Sequence, residues 1–269
     1  MKIQPRQVKE LREKTGAGIL ACKKALQKSE GDIEGAIDIL RADGVTKAAK
    51  RENKETREGV IRLKIDAAGK KAALLELNCE TDFVARTDDF LKLADELLET
   101  VFTGGRESLE LEETSGRVIS VAARIGEKIT PGRALTRESD GFIGGYLHHN
   151  CRVAALVELS IESPTVAREI AMQVVASNPP YLSEADIPEE EKEREFEIFR
   201  QQVKDKPEAI REKIIIGKWR KRLTELCLLN LPFLHDDKIS VGEYLKKQAA
   251  PTGEPIEIKG FVRWRLGEE

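Results

Sequence analysis

Aromatic residues make up only 5% of the chain, and its 269 residues include three histidines and four cysteines. Cys22, Cys79, Cys151 and Cys227 are far apart and form no CxxC pair. That spacing argues against a disulfide frame or a zinc site and for reduced thiols acting as small apolar residues. No GxxxxGK[ST] loop, GxGxxG turn, HExxH or GxSxG motif occurs, so the common phosphate-binding, dinucleotide, metalloprotease and hydrolase signatures are missing. No apolar run approaches a membrane span, and Met1-Lys2-Ile3-Gln4-Pro5 is too polar for a cleavable leader, so a cytoplasmic location without membrane contact is expected. The net charge of −3 gives no global field toward nucleic acid.

What is present is a chain 40% hydrophobic and 35% charged, enough to fold and long enough for two or three compact units. The first segment reads as three short helices. Val8 and Leu11 share one face, and Thr15-Gly16-Ala17-Gly18 stops that helix. Ile19, Cys22 and Leu26 recur at helical spacing with Lys23 and Lys24 between them. Gly31-Asp32 predicts a turn and N-cap before the stripe Ile33, Ala36, Ile37 and Leu40, which Gly44 is expected to close. So small a bundle suits a docking module better than a catalytic one. The charged stretch 47–58, carrying Lys47, Lys50, Arg51, Lys54 and Arg57, lacks apolar periodicity and reads as a helical or extended linker.

Strands are predicted over 59–65 and 72–78, joined at Ala68-Gly69-Lys70, and a helix over 88–101. Tyr146-Leu147-His148 leads into a second such strand, 154–159. Its sequence resembles 72–77, and a helix again follows with Val166, Ile170, Val174 and Val175. This repetition suggests two related α+β subdomains. Within 188–229, Phe196, Phe199 and Val203 form one stripe, Asp205-Lys206-Pro207 breaks it, and Ile216, Trp219, Leu223 and Leu226 form another. The pattern reads as an antiparallel helical hairpin, a coiled-coil finger. A short helix (241–247) and a strand (256–266) end the chain.

Two places could carry function. His148 and His149, with Cys151, could be a nucleophile–base pair or metal ligands, but neighbours on a strand would point to opposite faces. Thr81-Asp82-Phe83-Val84 sets an acid beside a large aromatic just after a strand. Asp82 could cap a turn while Phe83 folds into the core. Alternatively, the pair is an exposed wedge that intrudes into a partner.

Val8-Lys9-Glu10-Leu11-Arg12, Thr15-Gly16-Ala17-Gly18, Cys22-Lys23-Lys24-Ala25-Leu26 and Gly31-Asp32 resemble the opening of the elongation factor Ts family. Asn78-Cys79-Glu80-Thr81-Asp82-Phe83-Val84-Ala85-Arg86 resembles its second signature, and Tyr146-Leu147-His148 and Gly260-Phe261-Val262-Arg263 also fit. The resemblance implies an α+β protein with an N-terminal three-helix module of the ubiquitin-associated (UBA-like) type with its linker (1–54), a core N-subdomain (55–140), a core C-subdomain (141–187 and 230–269), and a coiled-coil insertion (188–229). It implies a non-enzymatic factor, without cofactor, that binds elongation factor Tu in its GDP-bound and nucleotide-free states and drives GDP out by disturbing magnesium and phosphate contacts. The residues it points to are Thr81, Asp82, Phe83 and Val84 for the wedge, Val8, Leu11, Ile19, Leu20 and Lys23 on the module, and His148 at a further contact, with His149 beside it as the other candidate for that match. No direct nucleic-acid contact is expected, and the coiled coil allows a homodimer. The rival readings are an RNA- or ribosome-binding accessory protein using Lys47 to Arg57, and a cofactor-dependent enzyme using His148 and Cys151.

Overall fold

The computed structural model describes residues 3–249 and 253–268; the polar start Met1-Lys2 and the side chains of Val45 and of Lys47, Ala48, Ala49 and Lys50 lie outside this description. Three helices come first, α1 (Pro5–Thr15), α2 (Ile19–Lys28) and α3 (Ile33–Lys50). Gly16 ends α1 in the left-handed region at φ 65°, and Asp32 caps α3 by accepting the amides of Glu34 (3.3 Å) and Gly35 (2.9 Å). Leu11, Cys22, Ala25, Leu26 and Ala36 form the small core of this bundle. Gly44 does not close α3, contrary to the sequence expectation. The glycine is buried inside the helix, where a Cβ would meet the Ala123 Cβ at 3.4 Å. It is a contact residue within the helix rather than a stop, and the helix continues to Lys50, into the first four residues of the charged linker.

Two strands follow, β1 (Glu58–Ile65) and β2 (Lys71–Cys79), then α4 (Asp88–Gly104), α5 (Glu112–Ile125) and β3 (Ile129–Glu138). The second half holds β4 (Phe142–Leu147), β5 (Val153–Leu159), α6 (Pro164–Ser177), α7 (Glu189–Gln202), α8 (Glu208–Leu226), the small hairpin β6 (Pro232–Phe233) and β7 (Asp236–Ser240), α9 (Val241–Ala249) and β8 (Ile258–Arg265). Both main sheets are antiparallel and three-stranded, in the orders β1-β2-β3 and β4-β5-β8. The fold is mixed α+β.

The side-chain period of a strand explains how the layers assemble. On β2, Ala73, Leu75 and Leu77 face α4 and α5, whereas Ala72 and Leu74 face the other way. On β5, Ala155, Val157 and Leu159 face α6 and α9, whereas Ala154 and Leu156 turn toward Ile61, Leu74 and Ile143. The sheets therefore pack back to back, with helices on the outside of each. Central strands buried on both faces must be apolar almost throughout, which is why 72–77 and 154–159 read alike.

The helical pair α7–α8 is antiparallel, with Glu195 bonded to Arg222 (3.1 Å) and Gln202 to Lys218 (2.7 Å). Phe199, Trp219, Leu223 and Leu226 are buried in its seam, with Phe196 and Ile215 beside them. Ile216, placed in that stripe by its spacing, is exposed, and Ile215 takes its place.

Consecutive glycines on β4 face opposite layers. A Cβ on Gly144 would lie 2.3 Å from the Ala167 Cβ of α6, and one on Gly145 would lie 2.9 Å from Leu63 of β1. Gly144→Ala is expected to destabilise the fold by about 1–3 kcal/mol through overpacking. Gly260→Ala, on a strand with open space around it, should stay within about 0.5 kcal/mol. Urea melts of the two variants test this, and equal losses would contradict the close α6 contact.

Candidate functional site

The antiparallel order brings the start of β1, the end of β2 and the start of β3 to one edge, since Glu58 pairs with Cys79 and Cys79 with Ile129. The second sheet meets the same edge. Arg152, at the start of β5, is ion-paired to Glu58, and the Ile61 amide donates to the Cys151 carbonyl at 2.7 Å. Three connections therefore gather there: the loop 80–87, the turn 126–128 and the turn 148–151.

The loop 80–87 is short and internally bonded. Thr81 accepts the Ala85 amide on its carbonyl (3.2 Å) and the Val84 amide on Oγ1 (3.4 Å), forming the 3-10 turn Val84–Arg86. Val84 and Ala85 drop into the cluster under α4, together with Phe90 and Leu93. Phe83 lies between these anchors and is 80% exposed. It does not fold back into the core. Asp82 pairs with Arg86 at 3.0 Å, an exposed contact worth at most about 1 kcal/mol.

The base of the loop is tied down by charge. Glu127 accepts Thr81 twice, from its amide (3.1 Å) and from its hydroxyl (2.7 Å). Glu80 Oε1 accepts the Lys128 amide and the Arg51 guanidinium, both at 2.6 Å. Lys128 Nζ in turn donates to the carbonyls of Glu52 (2.6 Å) and Lys54 (3.2 Å), just beyond α3. Burial works against the charge on Glu80, but the Lys128 amide and Arg51 outweigh it and hold its carboxyl below the usual value of 4.5. Burial, with Glu127 nearby, pushes the Cys79 thiol up to about 12. Cys79 is thus a protonated donor to the Thr81 carbonyl (3.1 Å) rather than a nucleophile.

On the module, Ile19 and Leu20 are 58% and 75% exposed at the start of α2, and Lys23 is exposed one turn on. Val8 is half-buried, while Leu11 is fully buried and shapes the bundle from within instead of offering contact surface. Val84 is similarly buried and anchors the loop. His148 and His149 are not on a strand, so the opposite-faces argument fails. They occupy the turn after β4, with ring centroids 4.1 Å apart. His148 is half-buried with Nδ1 unbonded, and His149 is exposed. Among the described residues no three His, Cys, Asp or Glu side chains are grouped to hold a metal ion, and no helix is long and apolar enough to cross a membrane. Sequence reading missed Glu127 and Lys128 because they reach the loop from 46 and 48 positions away. The one local signal was Gly126, a helix stop.

Phe83→Ala should leave stability within about 0.5 kcal/mol, whereas Phe90→Ala, from the core below, should cost about 3–5 kcal/mol. Thermal melts decide, and an early-melting Phe83 variant would return that ring to a structural role. A lowered folded pKa gives Glu80 a stabilising contribution that is complete above its usual value and lost as pH falls through the folded one. Melts of the wild type below about pH 4.5 should therefore fall more steeply than those of Glu80→Gln. Parallel acid limbs would show that the tie contributes nothing.

The family model for elongation factor TS matches residues 80–268. Proteins named elongation factor Ts align along the whole chain. The one from Nitratidesulfovibrio vulgaris (strain DP4) is 41% identical over 283 aligned residues, covering 100% of this chain and 97% of its own. That from Lawsonia intracellularis is 39% identical, with 100% of both chains covered, and that from Chlorobium phaeobacteroides 38%, covering 98% and 99%. With its two back-to-back sheets and its exposed Asp82-Phe83 loop, the chain belongs to the elongation factor Ts family, whose role is in translation elongation.

Proposed function

We propose that this protein binds elongation factor Tu, in its GDP-bound and nucleotide-free states, and promotes GDP release so that GTP can bind. The observation that carries the reading is Phe83, a large aromatic held 80% exposed on a loop fastened at both ends. A nanomolar nucleotide is bound by about 12 kcal/mol, so release is fast only if the factor prefers the nucleotide-free state, because such coupling is reciprocal. A rigid Asp82-Phe83 wedge that disturbs magnesium and phosphate contacts in the partner supplies that preference without bond chemistry, so the protein acts as an exchange factor and not as an enzyme.

In this reading the three-helix bundle is a UBA-like docking module that uses Ile19, Leu20 and Lys23, and His148 makes a further contact. The units are 1–54, 55–140, 141–187 with 230–269, and the coiled-coil insertion 188–229, which can pair two copies. The two sheet-bearing units, each β-β-α followed later by a third strand, are read as an internal duplication. Cytoplasmic action, without cofactor or direct nucleic-acid contact, goes with the role.

Stopped-flow release of fluorescent GDP from elongation factor Tu tests the proposal. The wild-type protein should accelerate release strongly. Phe83→Ala should cut that acceleration about tenfold to a hundredfold, the equivalent of losing about 1.5–3 kcal/mol of apolar burial. Leu20→Ala should instead raise the half-saturating concentration and spare the maximal rate. Unchanged GDP release on adding the wild-type protein would sink the proposal.

A further inference from the structure

We propose that Glu127 is a positioning residue for nucleotide release, holding the Phe83 loop by extending the β2–β3 ladder with side chains after the backbone ladder has ended. The inference rests on the exchange reading above. The last backbone pair of that ladder is Cys79 with Ile129. Continuing the antiparallel register, the next pair is Glu80 with Lys128 and the one after it Thr81 with Glu127. Both exist, but each is made by a carboxylate. Glu80 Oε1 accepts the Lys128 amide at 2.6 Å, and Glu127 accepts the Thr81 amide and hydroxyl at 3.1 and 2.7 Å. The acceptor therefore alternates, first on one chain segment and then on the other.

This substitution has a geometric reason. Gly126, at φ 89° and ψ 14°, closes α5 in the left-handed region, with its amide on the Ala122 carbonyl at 2.8 Å. The backbone after it bends at Glu127 and joins the ladder only at Ile129. Glu127 spans the gap with its side chain. A carboxylate taking two donors from one residue fixes both the direction of the backbone and the χ1 rotamer of Thr81. Thr81 then caps the turn that carries Phe83 through Val84 and Ala85. Remove Glu127 and the chain from Thr81 to Phe83 keeps only its local bonds. The same edge is tied to the segment leaving α3 by Arg51 on Glu80 and Lys128 on Glu52 and Lys54.

The test uses the full chain in two measurements. Without the partner, amide hydrogen exchange at Val84, Ala85 and Thr87 should speed up about tenfold or more in Glu127→Ala, with Glu127→Gln, which keeps one acceptor oxygen, in between. With elongation factor Tu, Glu127→Ala should lower the maximal GDP release rate about tenfold while changing the half-saturating concentration less than about twofold, as expected when a contact is misplaced rather than the docking surface lost. Thr81→Val serves as the second variant and should move both readouts in the same direction. In a Phe83→Ala background, Glu127→Ala should add little, because residues acting through one group are non-additive. Unchanged amide protection, full exchange by Glu127→Ala, or additive losses in the double variant would each overturn the assignment. If the wild-type protein itself fails to release GDP, the exchange reading falls and the positioning role with it. Unchanged protection in the free variant, with wild-type release intact, removes the positioning role alone.

Discussion

Everything in this molecule depends on two strands being buried on both faces. β2 and β5 each present one set of side chains to outer helices and the alternate set to the opposing sheet. A strand with two apolar faces cannot slip by one residue without exchanging its core sets, and shape mismatches in both layers would penalise the slip. Register, the order of layers and the edge at which the connections gather therefore follow together. Gly144 and Gly145 show how tight the stack is, since neither layer leaves room for a methyl group. The Phe83 loop, the Gly126 turn and the histidine turn share one edge because antiparallel strands in register bring those ends together.

Much of this was legible in the sequence where a segment's own pattern decides its structure. β1, β2, β5, α4 and the first three helices follow from their periodicity, and Asp32 caps α3 as its type and place suggest. Reading failed where a neighbour decides. β3 carries Pro131 and Gly132, which argue against a strand. Both are tolerated because β3 is an edge and its pairing with β2 shifts register nearby. α5 has Ser115-Gly116 within it, which weakens the apolar stripe, and only Val118, Ala122 and Thr114 are buried. Gly44 looked like a stop and proved to be the point where α3 meets α5.

The site divides in the same way. That Phe83 is exposed could not be read from composition, because an aromatic beside a turn is more often core. The decision lies with Val84 and Ala85, which take the inward positions and leave Phe83 none. The histidine doublet was misjudged by assuming that β4 extends through it. The ladder between β4 and β5 ends at Leu147 with Ala154, and the two rings lie side by side in the turn that follows. Glu127 gave no sequence signal beyond the helix-stopping Gly126 beside it, since its partner lies 46 positions away.

The magnitudes explain why such a loop is held so firmly in the proposed role. Burying a phenylalanine ring in a partner gains about 1.5–3 kcal/mol. Ordering the backbone of a single residue costs about 1–2 kcal/mol, so fixing only two free loop residues on contact would cancel the whole gain. A floppy wedge would bind its partner no better than no wedge. The loop instead folds with its ordering already done, by the Thr81 carbonyl and hydroxyl, by Val84 and Ala85 in the core, and by Glu127 and Glu80 at its base. These bonds form when the chain folds, where the whole core shares their entropic cost, and not when the partner arrives. In that proposed role the exposed ring is the part of the loop left without a partner, and its burial is a term present in the complex and absent from the free protein. Selective binding of one partner state over another needs such a term, and stiffness at the base of the loop is what keeps it from being lost to disorder.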